Sequence, residues 1–255
     1  MQFKNDTIFF SAFWAGIVLM SCGTKTTESK LDSLKVPGIT YHTYEGKIGV
    51  RTPVTLPDSS TVILNSATFL AVPDSFPGNR AVLLDGDAFF DVKPGKDTFT
   101  VTSDKLKATV LGTSFRMRSF GAQHGATFYL LNGQVRVSKS YYSATDNQPE
   151  ILERGQMILA NNEIDLMEKE TYHPEELEAW LSDSLILKNI TIMQLSRTLE
   201  DWFGVDVVIS GDGSKTPDIK EQIFHKATLE DVLSKLSKDM HFTYKISSKG
   251  VKINL

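Results

Sequence analysis

The chain has 255 residues, of which 41% are hydrophobic and 23% charged, a composition that excludes a wholly disordered or collagen-like protein. Its 27 Lys and Arg against 31 Asp and Glu give a net charge of −4, and without a basic block it lacks the electrostatic signature of nucleic-acid binding. Cys22 is the only cysteine, which excludes an intramolecular disulfide framework and a cysteine-based zinc site.

Residues 1–21 are predicted to form a signal peptide or membrane segment. Residues 8–20 carry no charge, and at ~1.5 Å per residue they cover about 20 Å, short of the ~30 Å hydrocarbon core of a bilayer. The LMSC run at 19–22 resembles the bacterial lipobox, in which a small residue precedes the acylated cysteine. We therefore predict lipidation at Cys22 and a periplasmic, membrane-anchored lipoprotein of a Gram-negative bacterium. The alternative is an ordinary signal sequence or a short membrane anchor.

Residues 22–37 are predicted to form a polar tether, because they lack hydrophobic periodicity. From 38 to 167 short β-type runs alternate with turn residues, which predicts an all-β domain of many short strands. The Asn-Gly pair at 132–133 lies between the runs 127–131 and 134–137. It is the strongest hairpin signal, since both turn positions need a positive φ.

Two features of the β region have both a structural and a functional interpretation. Four phenylalanines are predicted to be core or half-buried strand residues rather than ligand-stacking ones: Phe89, Phe90, Phe99 and Phe115. The Asp-Gly-Asp run at 85–87 lacks the spaced oxygen ligands that calcium needs, so we predict a turn there rather than a cation loop.

A series of short motifs in consistent order, over residues 46–160, resembles the FecR family. The family has an LPDGS element, an L-x-GEAxFxV strand pair, a VLGTxF element, and GxVxV and PGQ-like turns. The matching runs here are LPDSS at 56–60, LLDGDAFFDV at 83–92, VLGTSF at 110–115, NGQVRV at 132–137 and RGQ at 154–156. Ser59, Asp87 and Arg154 depart from the family pattern. The resemblance implies the periplasmic FecR domain.

Residues 168–182 are predicted to form a linker helix, with Pro174 in its first turn followed by two acidic residues that suit the helix dipole. Beyond it, residues 183–255 contain a pseudo-repeat with an offset of 37. The aligned segments are 191–200 with 228–237 and 205–209 with 242–246.

Each copy of the repeat has a strand, a helix and a second strand. Thr191 and Thr228 are the expected N-caps of the two helices, and 251–255 is the expected closing strand. The pattern predicts a small α+β sandwich, which resembles the FecR carboxy-terminal domain, a relative of the secretin/TonB short amino-terminal module. The predicted fold class is therefore an all-β, many-stranded first domain followed by a small α+β domain.

No catalytic or cofactor motif is present in the sequence. The five histidines are far apart and form no HExxH pair, so we expect no metal site. The GDGSKT run at 211–216 lacks Walker spacing, and Pro217 interrupts any helix that would follow it. We predict a protein that is not an enzyme and has no cofactor.

The resemblance implies a signal-transduction regulator of an extracytoplasmic-function sigma factor. Family members sense a TonB-dependent outer-membrane transporter through its amino-terminal signalling domain, and hold the sigma factor with a cytoplasmic segment. Only a few residues precede the apolar run at 8–20 here, too few for an interface of ~800 Å² per partner. We therefore expect an anti-sigma-type regulator that acts on the sigma factor indirectly. A complete anti-sigma factor with an upstream start is an alternative.

The expected docking mode is strand addition at an open edge of the carboxy-terminal sheet. The candidate edges are 205–209 and 251–255, and the alternative is that both are core strands. The candidate residues are Val205, Val207, Ile209, Val251 and Ile253.

A different functional class is a lipoprotein scaffold or carbohydrate-binding module of an outer-membrane uptake system. Such a module needs exposed aromatic side chains in a platform. Trp14 falls in the signal segment, and Trp180 and Trp202 fall on predicted helix faces, so the sequence indicates no platform.

Overall fold

The computed structural model describes residues 29–248 and 250–255. A short helix α1 (Leu31–Leu34) precedes a β domain of thirteen paired strands. The strands are β1 (Tyr41–Glu45), β2 (Thr52–Thr55), β3 (Thr61–Leu64), β4 (Phe69–Pro73), β5 (Ala81–Asp91), β6 (Phe99–Thr102), β7 (Leu106–Val110), β8 (Ser114–Ser119), β9 (Gly125–Asn132), β10 (Val135–Lys139), β11 (Glu150–Leu152), β12 (Gln156–Asn161) and β13 (Leu166–Thr171). A short 3-10 helix lies between β4 and β5 at Phe76–Gly78, and another lies in the second domain at Gly213–Lys215.

Strand β5 joins the two halves of this sheet. Its first half pairs with β4 and β6, and its second half pairs with β3 and β8. The main strand order is β11-β10-β7-β6-β5-β8-β9-β12-β13. The sheet folds around one apolar core, at whose centre the rings of Phe90, Phe115 and Phe128 stack in series at 5.0 and 4.8 Å. Phe89 instead lies on the outer face, in a separate cluster beneath the connecting helix.

Two local predictions in the β domain are wrong. The run at 85–87 is not a turn, because it lies inside β5. Asn132 and Gly133 do not close a hairpin, because β9 pairs with β8 and β12 while β10 pairs with β7 and β11. Gly133 has a φ of +91° and a Cβ there would lie 2.9 Å from the carbonyl oxygen of Gly112. The glycine therefore serves a tight corner where the chain crosses between sheet halves.

Part of the segment interpreted as a tether lies against the β domain. The buried carboxylate of Asp85 accepts hydrogen bonds from Ser29 Oγ at 2.7 Å, the Lys30 amide at 2.8 Å and the Gly121 amide at 2.8 Å. Leu31 of α1 is buried in a small cluster with Leu83 on β5 and neighbouring apolar residues. Residues 29–34 are thus held by the Asp85 carboxylate and by the apolar contacts of Leu31 and Leu34.

Helix α2 (Pro174–Leu181) connects the β domain to the second domain, and the prediction of a repeated β-α-β unit with a closing strand is confirmed. The elements are β14 (Ser184–Ile190), α3 (Ile192–Phe203), β15 (Val207–Ser210), β16 (Ile219–His225), α4 (Leu229–Met240), β17 (Thr243–Ser247) and β18 (Gly250–Asn254). Thr191 and Thr228 each form a capping box, which satisfies otherwise unpaired amides at the helix start. One sheet pairs β14 with β16 and the other has the order β15-β18-β17. Both sheets share one core with the two helices.

Candidate functional site

The carboxyl end of α3 contacts the β domain. The last four carbonyls of an α-helix have no partner within the helix. Here all four accept a hydrogen bond, and donors from the β domain and α2 reach each of them. The pairs are Glu200 with Arg118 Nη1 (3.1 Å), Asp201 with Arg116 Nη2 (2.8 Å), Trp202 with Asn65 Nδ2 (3.2 Å) and Trp180 Nε1 (3.1 Å), and Phe203 with the Ser66 amide (3.3 Å). The two guanidinium groups also suit the negative end of the helix dipole.

A buried ion pair lies beneath this helix end. Asp87 of β5 is fully buried and accepts from Arg116 Nε at 2.8 Å and Nη2 at 2.5 Å. Asn65 Nδ2 adds a bond at 2.9 Å, and Arg118 lies 3.9 Å away. Burial alone would raise the pKa of Asp87, but the charge and hydrogen bonds of Arg116 outweigh it and hold that pKa below its ordinary value. Burial alone would lower the pKa of Arg116, but the charge and hydrogen bonds of Asp87 outweigh it and hold that pKa above its ordinary value.

A third arginine, Arg51, lies between Trp180 and Trp202 at the domain junction, where α2 and the end of α3 contact the β domain. The Arg51 guanidinium lies 3.9 Å from the ring centre of Trp180 and 4.9 Å from that of Trp202, donates to the Trp180 carbonyl, and pairs with Asp183 at 3.0 Å. Burial lowers the pKa of Arg51 to about 10, against the opposing effect of Asp183, so the group is charged at neutral pH. These contacts are cation–π interactions within the protein. Since Trp180 is buried and Trp202 half-buried, neither forms an exposed aromatic platform.

The loop between β1 and β2 makes another contact between the domains. The Gly49 carbonyl accepts from the Leu229 amide at 2.9 Å, at the start of α4. The Gly49 amide donates to Ser66 Oγ at 2.9 Å, and Ile48 packs on the core of the second domain. The β domain therefore holds the carboxyl end of one repeated helix and the amino end of the other.

The sheet order decides which predicted strand can accept a partner. Residues 251–255 were expected to be an open edge, and this is wrong because β18 lies between β15 and β17. Val251 and Ile253 are buried in the core. Val205 precedes β15 and is also buried. Among the described residues β15 pairs with β18 alone, so it is an edge strand of this sheet.

The open side of β15 can be assigned from its hydrogen bonds. The Asp206 and Ser210 carbonyls accept from the Val251 and Leu255 amides, so the even-numbered backbone groups face β18. Successive residues of a strand point their backbone groups to opposite sides, which places those of Val207 and Ile209 on the open side. The Val207 amide donates to Glu200 Oε1 at 3.0 Å. The side chain between them, Val208, is 57% exposed.

The junction residues were not identified by sequence reasoning as a cluster. Arg116 and Arg118 lie two apart on β8 and opposite Phe89 and Asp87 of β5, so the signal was two arginines on one strand face. To predict the cluster from these two arginines, the register of β8 against β5 must also be known, and the sequence alone does not give it.

Residues 29–248 and 250–255 contain neither a metal-binding cluster nor a membrane-spanning helix. In that part of the chain no three His, Cys, Asp or Glu side chains are placed to hold a metal ion. No helix in the same ranges is long and apolar enough to cross a membrane. Cys22, the predicted lipidation site, lies outside the described residues.

Two family models match the chain in the order of its two domains. Residues 42–136 match "FecR protein" and residues 184–253 match "FecR, C-terminal". The fold is similar to two crystal structures of a protein from Parabacteroides distasonis described as a candidate anti-sigma factor. They have TM-scores of 0.59 and 0.58 and 22% identity in each case, covering 84% and 83% of this chain and 99% and 98% of theirs. No curated protein matched the sequence. The chain, with both of its domains matched in order, belongs to the FecR family.

Proposed function

We propose that this protein is a membrane-tethered periplasmic regulator of the anti-sigma type. It senses a TonB-dependent outer-membrane transporter and influences an extracytoplasmic-function sigma factor. Membership of the FecR family over both domains supports a regulator rather than an enzyme. The description of the structural neighbours as a candidate anti-sigma factor points the same way.

The proposal that a transporter docks on this protein rests on the open side of β15. An extended segment of the transporter's signalling domain adds there as a further strand, with main-chain hydrogen bonds supplying affinity. The backbone groups of Ile209 and the Val207 carbonyl are the available partners. Exposed Val208 supplies apolar contact beside them.

The other edge of the same sheet is less suited to strand addition. Strand β17 exposes Thr243, Lys245 and Ser247, and a lysine on an edge disfavours pairing with another chain. Strand β15 carries no charge. The composition of the two edges therefore favours β15.

The partner can be identified by capture from intact envelope. The full-length tagged protein is cross-linked in cells, purified from the membrane fraction and analysed by mass spectrometry. We expect peptides of a TonB-dependent transporter, above those recovered with an unrelated tagged lipoprotein. Recovery of no such transporter contradicts the proposal.

Membrane attachment through Cys22 is tested by metabolic labelling with a fatty-acid probe. Cys22→Ala is expected to abolish labelling, because Cys22 is the only cysteine and several acyl chains at ~0.8 kcal/mol per buried CH2 supply the anchor. Ser21→Ala keeps a small residue before the cysteine and is expected to remain labelled. Unchanged labelling of the Cys22 variant contradicts the lipid anchor.

A further inference from the structure

Glu200 links the β domain directly to the docking edge. Its backbone carbonyl accepts from Arg118 Nη1 at 3.1 Å, and its carboxylate accepts from the Val207 amide at 3.0 Å. Arg118 belongs to β8 and Val207 to β15. One residue in the last turn of α3 therefore touches both the domain junction and the first outward donor of the edge strand.

The chain between α3 and β15 is short and held at both ends. Gly204 ends the helix with a φ of +66°, and a Cβ there would lie 3.1 Å from the Asn65 side chain. Only Val205 and Asp206 separate it from β15. Val205 is buried, and the Asp206 carbonyl accepts from the Val251 amide at 2.7 Å. This short connection cannot absorb a displacement of the carboxyl end of α3, so β15 moves with it.

From these contacts we propose that the seating of α3 on the β domain controls the docking edge. While Arg118 holds the helix end, Glu200 occupies the Val207 amide and fixes the start of β15. A partner strand that accepts a hydrogen bond from the Val207 amide displaces the Glu200 carboxylate from it. The displacement changes the contacts of the α3 end with the β domain. By thermodynamic linkage, weakening the contacts of α3 with the β domain changes the stability of the β15 edge. Binding of a partner strand at that edge changes the stability of those contacts by the same free energy. The role of β15 as docking edge rests on the function proposed above.

Hydrogen exchange of the full chain, without any partner, tests the coupling. In Arg118→Gln the hydrogen-bonded amides of residues 205–210, those of Val207, Val208 and Ser210, are expected to exchange about tenfold faster, the loss expected for one hydrogen bond to a charged donor. The amides of β16 are expected to keep their rates. Arg136→Gln, an exposed arginine on β10 of the same domain, serves as the matched control and leaves 205–210 unchanged.

A variant pair at Glu200 tests whether that residue carries the coupling. Glu200→Ala is expected to release the Val207 amide, so that Arg118→Gln has no further effect on the exchange of that amide. Glu200→Gln keeps an acceptor oxygen and is expected to keep the protection. Faster exchange confined to 200–203, an even increase over 184–253, or additive effects of the two substitutions overturns the inference.

Because this experiment uses the protein alone, its failure is separate from that of the proposed function. Coupled exchange in a protein that captures no transporter overturns only the identity of the partner. Transporter capture with uncoupled exchange overturns only the inference drawn from Glu200.

Discussion

Asp87→Ala is expected to lower the free energy of unfolding by about 3–5 kcal/mol at pH 7, because it leaves a buried guanidinium without its counter-charge. Arg116 donates to this carboxylate through both Nε and Nη2. Urea unfolding followed by circular dichroism measures the difference. Asp91→Ala is the matched control on the same strand, where the carboxylate is 42% exposed and paired with Lys93. It is expected to cost about 1 kcal/mol or less.

The difference in unfolding free energy between the wild type and Asp87→Ala depends on pH with a definite sign. The pKa of Asp87 is lower in the folded protein than its ordinary value. Its stabilising contribution is therefore complete above the unfolded value of ~3.9 and is lost as the pH falls through the folded pKa. The gap between the wild type and Asp87→Ala should be constant from pH 7 to 5 and shrink below about pH 4. A gap that stays unchanged in acid contradicts the ionised pair.

Ile209→Pro is expected to weaken binding of the transporter's signalling domain by at least about tenfold, because proline removes the outward amide and its ring obstructs an added strand. Proline is tolerated on the open side of an edge strand, so the pairing with β18 should survive. Isothermal titration with the purified signalling domain of the captured transporter gives the affinity.

Ile209→Ala is the matched control for the proline variant. Ile209 is half-buried against the core of its domain, and alanine removes the same packing while keeping the amide. We expect the alanine protein to bind more tightly than the proline protein. Equal affinities of the two variants mean that strand addition at β15 does not occur.

Local sequence pattern was sufficient for the second domain. The threonines at 191 and 228 and the offset of 37 specify where the two helices begin. The apolar residues at equivalent positions specify which face of each helix is buried: Ile192, Leu195 and Leu199 in the first, and Leu229, Val232 and Leu236 in the second. The capping boxes of the two threonines are present as expected. The all-β character of the first domain also followed from local alternation of apolar and turn residues.

Relationships between distant strands could not be predicted in this way. The Asn-Gly pair at 132–133 specifies a backbone conformation but not which strands pair, and the chain changes sheet half there. The closing strand looked like an edge because order within a sheet is not local, and β18 lies in the middle. The junction depends on the register of β5 against β8 and on where α3 ends.

Site-specific cross-linking in living cells tests the central claim most directly. A photoreactive amino acid at Val208, exposed on β15, is compared with one at Ile186, which is 56% exposed on the other sheet of the same domain. We predict cross-links from Val208 to the amino-terminal domain of a TonB-dependent transporter, and none from Ile186. Cross-links to that domain from Ile186 alone, or from neither position, would contradict docking at β15.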